Sequence, residues 1–380
     1  MKKQTCSALI LVALFFNSLF GQPARTEFIR KQTFKTNLRL KTWSFEEQSG
    51  FERFTEVVVP LTYTHPIGER FALDAVTVPY FSNVQFAGAG GVTLTHVTDT
   101  FLRGSYILGD NRALLTFGAS IPSGKTKFDV DELQIAGLAA NRPLANPVTN
   151  LGTGVNLNFG LAAAQDFGPW VFGLGVGYAW RGEYDVRNGT QEIEITPGNE
   201  VNLTFGMERG FELATGPSKF IVDFVYTFYT EDELAGQPFF EAGDKFLLQS
   251  SFIFPVSIFD PLIIRAQNRW RLDNESTNAA LIDNGNEFDF GLSATHKLRN
   301  DLRLKYLLDA KIYSDTVNDS EGALIFGVGM GVFHKFSDFF SIDPTIKFYK
   351  GKIKTGPNSD IDVTGFEFVL GLSGGINLRF

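Results

Sequence analysis

The sequence predicts an all-β chain: a transmembrane antiparallel up-and-down β-barrel of about sixteen strands, with fourteen as the alternative. Three observations predict it. First, residues 170–180, WVFGLGVGYAW, set Trp170, Phe172, Leu174, Val176, Tyr178 and Trp180 on every second position. Successive side chains leave a strand on opposite faces, so these six share one face. That face is aromatic at its ends and aliphatic in its middle, the order met on crossing interface, hydrocarbon and interface. Second, the same alternation recurs along the whole chain. Third, short turns alternate with long polar loops, which is how bacterial barrels are strung.

The length of the period-2 runs fits a bilayer. The ten residue steps from Trp170 to Trp180 span about 33 Å of strand, or about 25 Å of height at a tilt of about 40°. A large secreted β-sandwich is the competing architecture, but its outward faces would be polar. The composition agrees with the barrel: 20% charged residues, 14% aromatic, with 39 Phe and 38 Gly. A soluble domain carries about 25% charged residues.

The N-terminus, MKKQTCSALILVALFFNSLFGQ, reads as a secretory signal over residues 1–21, leaving 22–380 as a single barrel domain. Lys2 and Lys3 form its charged segment, Ala8 to Phe16 its apolar core, and Gly21 the small residue before the cut. Nine apolar residues are too few for a spanning helix, which needs about 20. The one cysteine, Cys6, lies inside the signal, so the mature chain has no thiol for a disulfide or a metal. Loss of Lys2 and Lys3 moves the formal net charge from −8 to −10, which speaks against a nucleic-acid partner. After residue 21 no run approaches 18 apolar residues, so a helical membrane protein is excluded.

Strands are expected at 34–43, 54–64, 70–80, 92–108, 112–121, 151–164, 170–183, 199–212, 219–230, 243–254, 261–272, 286–298, 302–314, 321–334, 339–350 and 362–380. Short turns fall at HPIGE (65–69), GDN (109–111), QDFGP (165–169), TGPSK (215–219), SIFDP (257–261), RND (299–301) and KFSD (335–338). Longer loops lie near 122–150, 184–198, 231–243, 273–285, 315–320 and 351–360. With both termini on the short-turn side the strand number is even. The chain ends GGINLRF, with Ile376, Leu378 and Phe380 on one face. This end resembles the C-terminal signal of outer-membrane barrels, which implies a partner in the barrel-assembly machinery that reads Phe380.

Once one parity belongs to lipid, the other must enclose water. On 261–272 the inward set contains Arg265, Arg269 and Arg271; on 302–314 it contains Arg303, Lys305, Asp309 and Lys311. Lys347 joins from 339–350, Asp289 and Lys297 from 286–298, and Lys35, Arg39 and Lys41 from the first strand if the barrel closes. An arginine at mid-bilayer on the lipid face would cost about 2–4 kcal/mol. Two readings of this arc stand: a basic wall favouring anionic or polarisable solutes, or ion pairs bracing the interior with Asp289, Asp309, Asp343 and Glu367. The lipid-facing belt is expected to include Trp170, Tyr178, Trp180, Phe228, Trp270 and Phe380. Segments 231–244, 273–287 and 315–321 hold acids and no Lys or Arg, the composition of solvated acidic loops.

Two stretches, GDNRALLTFGASIPSGKT (109–126) and NLGTGVNLNFGLAAAQDFGPWVFGLGVGYAWRGEYDV (150–186), resemble the outer-membrane transporter family of the phenol-degradation (MetA-like) pathway. The matching positions are Ile121 to Gly124, Leu151 to Gly154, Asp166 to Trp170 and Gly177 to Gly182. The resemblance implies a barrel of the bacterial outer membrane that passes small, rather apolar or aromatic compounds. The expectation is a passive channel for a small-molecule solute, embedded in outer-membrane lipid, with no cofactor, metal or nucleic acid. The alternative is a non-transporting surface protein whose long loops bind partners. No nucleophile, base and acid can be grouped around His65, His96, His296 or His334, and no GxSxG occurs, so no enzyme is expected.

Overall fold

Sixteen antiparallel staves close into one barrel. The computed structural model describes residues 32–46, 50–88, 90–109, 112–129, 131–132, 135, 144, 152–188, 191–276, 285–315, 322–356 and 359–376. The secretory signal and Phe380 lie outside the described residues.

The staves, in chain order, begin with Gln32–Phe45. The second runs through Phe51–Val58 and Leu61–Ile67, the third through Phe71–Thr77 and Pro79–Phe86, and the fourth through Gly91–Val97 and Thr100–Leu108. The fifth to tenth are Ala113–Ile121, Asn156–Phe167, Trp170–Arg181, Glu200–Leu213, Gly216–Tyr229 and Lys245–Val256. The eleventh to sixteenth are Phe259–Arg271, Gly285–Lys297, Leu302–Asp315, Gly322–Ser337, Phe340–Gly356 and Ser359–Ile376. The last pairs with the first from Gln32↔Ile376 to Phe45↔Val363, so no edge is left open.

Three early staves are each broken in the middle, for identifiable reasons. Pro60 and Pro79 cannot donate to a ladder. They interrupt adjacent staves, and the Val59 N–H is satisfied by the Pro79 carbonyl at 3.0 Å. In the fourth stave Thr98 and Asp99 stand outside the ladder. His96 pairs with Tyr80 and Arg103 with Asp74, both partners on one face of the third stave, so the inward parity changes between 96 and 103.

The long loops differ from the solvated segments their composition suggests. Lys127–Phe128, Tyr184–Asn188, Gln191–Thr196, Asp232–Leu234, Gln237–Glu241 and Glu275–Ser276 form a second, six-stranded sheet at the long-loop end. Pairing to one another satisfies backbone groups that would otherwise need water. Inside the barrel Trp43, Phe54, Tyr80, Leu94, Ile325 and Val363, from six staves on both sides of the seam, share one cluster with Phe128, Ile135 and Leu144. Side chains from staves so far apart in the sheet meet only in the interior. Phe128, Ile135 and Leu144, of the loop between the fifth and sixth staves, therefore stand inside the barrel.

Candidate functional site

The inner face carries the charges. Register places Lys41 opposite Glu56 on one side and Glu367 on the other, so these three share the face that holds Trp43. Lys35 and Arg39 have the same parity. Arg265, Arg269 and Arg271 stand on the inner face of the eleventh stave, paired in register with Ser251, Leu247 and Lys245 of the tenth. Opposite Arg265 and Arg269 on the twelfth stave are Gly291 and Glu287. Arg303, Lys305, Asp309 and Lys311 follow on the thirteenth, with Lys347 and Asp343 on the fifteenth.

Part of this arc is paired. Arg39 Nε lies 3.2 Å from Glu367 Oε1, and Arg269 Nη1 lies 2.5 Å from Glu287 Oε2. Lys347 Nζ donates to Asp309 Oδ2 at 2.5 Å, and Lys305 Nζ donates to Asp343. The last two pairs join the thirteenth and fifteenth staves across the fourteenth. They can cross because Gly327, Gly329 and Gly331 have the inward parity there. A Cβ on Gly329 would meet Lys347 Cγ at 2.6 Å.

Arg265 and Lys311 form no ion pair among the described residues, and the Arg303 guanidinium lies over the Phe333 ring, 5.6 Å from its centroid. Glu287, counted by composition among the rim acids, belongs to the twelfth stave and faces Arg269. Its parity with Asp289 and Gly291 was the signal that identifies it. Tyr349 and Tyr80 extend the inner network: their hydroxyls donate to Glu367 at 2.6 Å and to Glu56 at 2.9 Å.

Lys41 differs from the expectation that it borders water. It is 5% exposed. Its ammonium donates to the Leu144 carbonyl at 2.7 Å, and Trp43 Nε1 donates to the same oxygen at 3.0 Å. The infolded loop covers it, a path that strand parity does not encode.

The neck of that loop explains the PSG and LGTG motifs. Asp99 Oδ1 accepts from the Gly124 N–H at 2.8 Å, and Oδ2 accepts from the Thr153 N–H at 2.6 Å. The Gly152 N–H donates to the Lys125 carbonyl at 2.9 Å. One carboxylate thus ties the outgoing and returning chain together. Deeper in the loop Lys125 Nζ donates to both oxygens of Glu132 at 2.6 Å, and the Asp129 N–H donates to Glu132 at 3.0 Å. Burial opposes ionisation of Glu132, but these hydrogen bonds outweigh it and hold its carboxyl below the usual carboxylate value.

The apolar cluster touches staves one to four and fourteen to sixteen, and Tyr313 of the thirteenth packs against it. The sixth and seventh staves instead present Gly160, Ala162, Ala164, Gly173, Gly175 and Gly177 inward. On staves eleven to thirteen Arg265, Arg269, Arg271, Lys297, Arg303, Lys305 and Lys311 share the inner face with Glu287, Asp289 and Asp309. That face is basic, in contrast to the acidic chain as a whole.

The outer face is apolar. Leu174 is 51% exposed, with Tyr178, Trp180 and Trp270 also exposed. Trp170 is half-buried under the Arg209 guanidinium, 4.8 Å from its centroid, and Phe228 packs on Tyr226. His65 lies within Leu61–Ile67 on that same outer face, not in the turn, while His96 points inward against Tyr80 and Phe128. His296 and His334 stand beside Phe259 and Phe336 near the short turns.

A closed antiparallel barrel with an apolar, aromatic-edged exterior defines a β-barrel protein of the bacterial outer membrane. No protein-family model matches the chain, and no curated protein matches it. Among solved structures it is similar to an anion-selective porin from Comamonas acidovorans, at 12% identity and a TM-score of 0.44, covering 91% of this chain and 98% of that one. It is similar to an outer-membrane channel from Pseudomonas putida F1, at 12% identity and a TM-score of 0.39, covering 96% and 100%. It is also similar to OccK11 (OpdR) of Pseudomonas aeruginosa, at 7% identity and a TM-score of 0.47, covering 91% and 96%.

Proposed function

We propose that the chain is a passive outer-membrane channel for small solutes, and that its basic inner wall favours anionic ones. One observation supports this reading most. The buried apolar cluster lies against staves one to four and thirteen to sixteen, while the rest of the inner face combines glycines and alanines on staves six and seven with arginines and lysines on staves eleven to thirteen. A charged wall at low-dielectric close quarters biases which ion enters. The ion pairs brace this wall without cancelling it, since on staves eleven to thirteen seven cations share the inner face with three carboxylates, one of which, Asp289, stands opposite Lys311. The apolar or aromatic solutes implied by the phenol-pathway resemblance have support in the motif residues alone, of which Gly124 and Gly152 serve the loop neck.

Planar-bilayer recording tests the proposal. Native protein gives steady single-channel steps with a reversal potential favouring anions. Replacing Arg265, Arg269 and Arg271 by Ser moves that potential toward cations. Absence of conductance from folded protein would instead favour a surface protein acting through its rim sheet, the reading that the interior apolar cluster supports.

A further inference from the structure

The outer wall carries a groove that uniform lipid contact does not require. Across four staves the register runs Phe290↔Ala310↔Phe326↔Lys350, and the next row runs Leu292↔Leu308↔Val328↔Phe348. These positions have the outward parity. Ala310 is the one small side chain in its row, flanked by two phenylalanines. The result is an apolar trough of about 560 Å³ bordered by Phe290, Leu308, Phe326, Val328 and Phe348, with Lys350 at one end. Phe326, Val328 and Phe348 are each more than half exposed.

Lys350 is the anomaly. It is a cation on the lipid face, where a charge near mid-bilayer is costly. Its height resolves this. Lys350 stands ten residues above Phe340, where its stave leaves the short turn, and Trp180 stands ten residues above Trp170. The ammonium is therefore level with the aromatic ring at the long-loop edge, where headgroups lie. Lys352 follows on the same face, with Asp362 and Asp360 at 3.8 and 3.9 Å, whereas Lys350 has Phe326 and Thr364 as its register neighbours. Among the described residues no carboxylate pairs with Lys350.

We infer that this groove binds an acyl lipid with a phosphate headgroup from the leaflet on the long-loop side. Its chain occupies the trough over Ala310, and its phosphate meets Lys350. Charge complementarity selects this occupant. A second copy of the chain would have to bury the unaccompanied ammonium, while a phosphate at the interface satisfies it by a charge-assisted hydrogen bond.

Native mass spectrometry of the detergent-solubilised barrel, titrated with dioleoyl phosphatidic acid and dioleoyl phosphatidylcholine, tests the site. The native protein retains phosphatidic acid more tightly. Lys350→Gln weakens that binding roughly fivefold and leaves phosphatidylcholine unchanged. Ala310→Phe fills the trough and weakens both lipids. Equal affinity of the native protein for the two lipids, or phosphatidic acid binding indifferent to Lys350→Gln, overturns the proposal. So does a defined oligomer that Ala310→Phe dissolves, since the trough is then the seat of a second copy. Both variants are checked for folding by their heat-dependent gel shift. Neither residue lies on the inner wall, so channel conductance reads out separately.

Discussion

Gly124 and Gly152 lie back to back at the neck of the infolded loop: a Cβ on either would come within 2.6 Å of the other's backbone. Asp99 holds the same two segments by hydrogen bonds to the Gly124 and Thr153 N–H groups. Replacing Gly152 by Val overpacks the neck at a cost of about 1–3 kcal/mol. The loop then leaves the interior, single-channel conductance rises, and proteases cut the loop faster. Unaltered conductance and unaltered cleavage would remove the neck from the account.

Further in, the Leu144 carbonyl accepts from both Lys41 and Trp43. Trp43→Phe deletes one donor and leaves a cavity where the indole was larger, loosening the loop by about 1 kcal/mol for the hydrogen bond and more for the cavity. Brief current fluctuations become more frequent. Lys41→Met removes the other donor along with a buried charge, and its sign is a direct measure of what that charge costs. Identical current traces for native and Trp43→Phe channels would show that this hydrogen bond does not hold the loop.

Glu132 supplies a dependence on pH. Its carboxyl is held below the ordinary 4.5 by the Lys125 and Asp129 hydrogen bonds, against the opposing effect of burial. A depressed value means that the stabilisation is complete above the unfolded value and is lost as pH falls through the folded one. Loop protection from hydrogen exchange is thus level from neutrality to mild acid and falls as pH drops below the ordinary carboxylate value of 4.5. Glu132→Gln lacks that acid step and is less protected at neutrality, and the two proteins converge in acid. An acid step of equal size in the variant would assign it to another group.

The glycine row of the fourteenth stave makes a structural prediction. Gly329→Val collides with Lys347 and the Ile346 carbonyl. The Lys347–Asp309 pair is displaced, and stability falls by about 1–3 kcal/mol. Urea titration of refolded protein in vesicles measures it. A variant as stable as the native barrel would mean that Lys347 has another path across the stave.

The two faces should respond in opposite ways to charge. Leu174 faces lipid, whereas Gln249 lies on the inner face opposite Asp223 and Gln267. Leu174→Arg costs about 2–4 kcal/mol near the midplane. Gln249→Arg sits in the aqueous interior beside a carboxylate and is tolerated. Vesicle refolding yields that rank the two substitutions equally would contradict the assignment of faces.

Much of this was legible in the chain, because a period of two is a strong signal when one face meets lipid. About sixteen staves, with fourteen left open, follow from the period-two runs and the turns between them, and the side on which Arg265, Lys305 and Lys347 stand follows from parity. Which carboxylate each cation meets does not, since a register slip of two residues keeps every side chain on its face. Thus Asp343 and Asp309 could be named as partners, but not matched to Lys305 and Lys347. The breaks at Pro60 and Pro79 were available from residue type, whereas the parity change at Thr98 and Asp99 was not. The inward loop left the faintest trace. Ile135 lies in the apolar run LQIAGLAA (133–140) and Leu144 in PLA (143–145), neither with a strand period that says which way it faces, and Lys41 looked like any other inward lysine until Leu144 covered it.

The seam between Gln32–Phe45 and Ser359–Ile376 sets the order of biogenesis. Gln32–Phe45 waits for Ser359–Ile376, with the fourteen staves between them already in line. Until that final ribbon arrives, two unsatisfied edges persist, and each is a template for a stranger's backbone. A chain lacking Ser359–Ile376 therefore yields no smaller cylinder, only an open curl, and the wall is complete only when that stave meets the first.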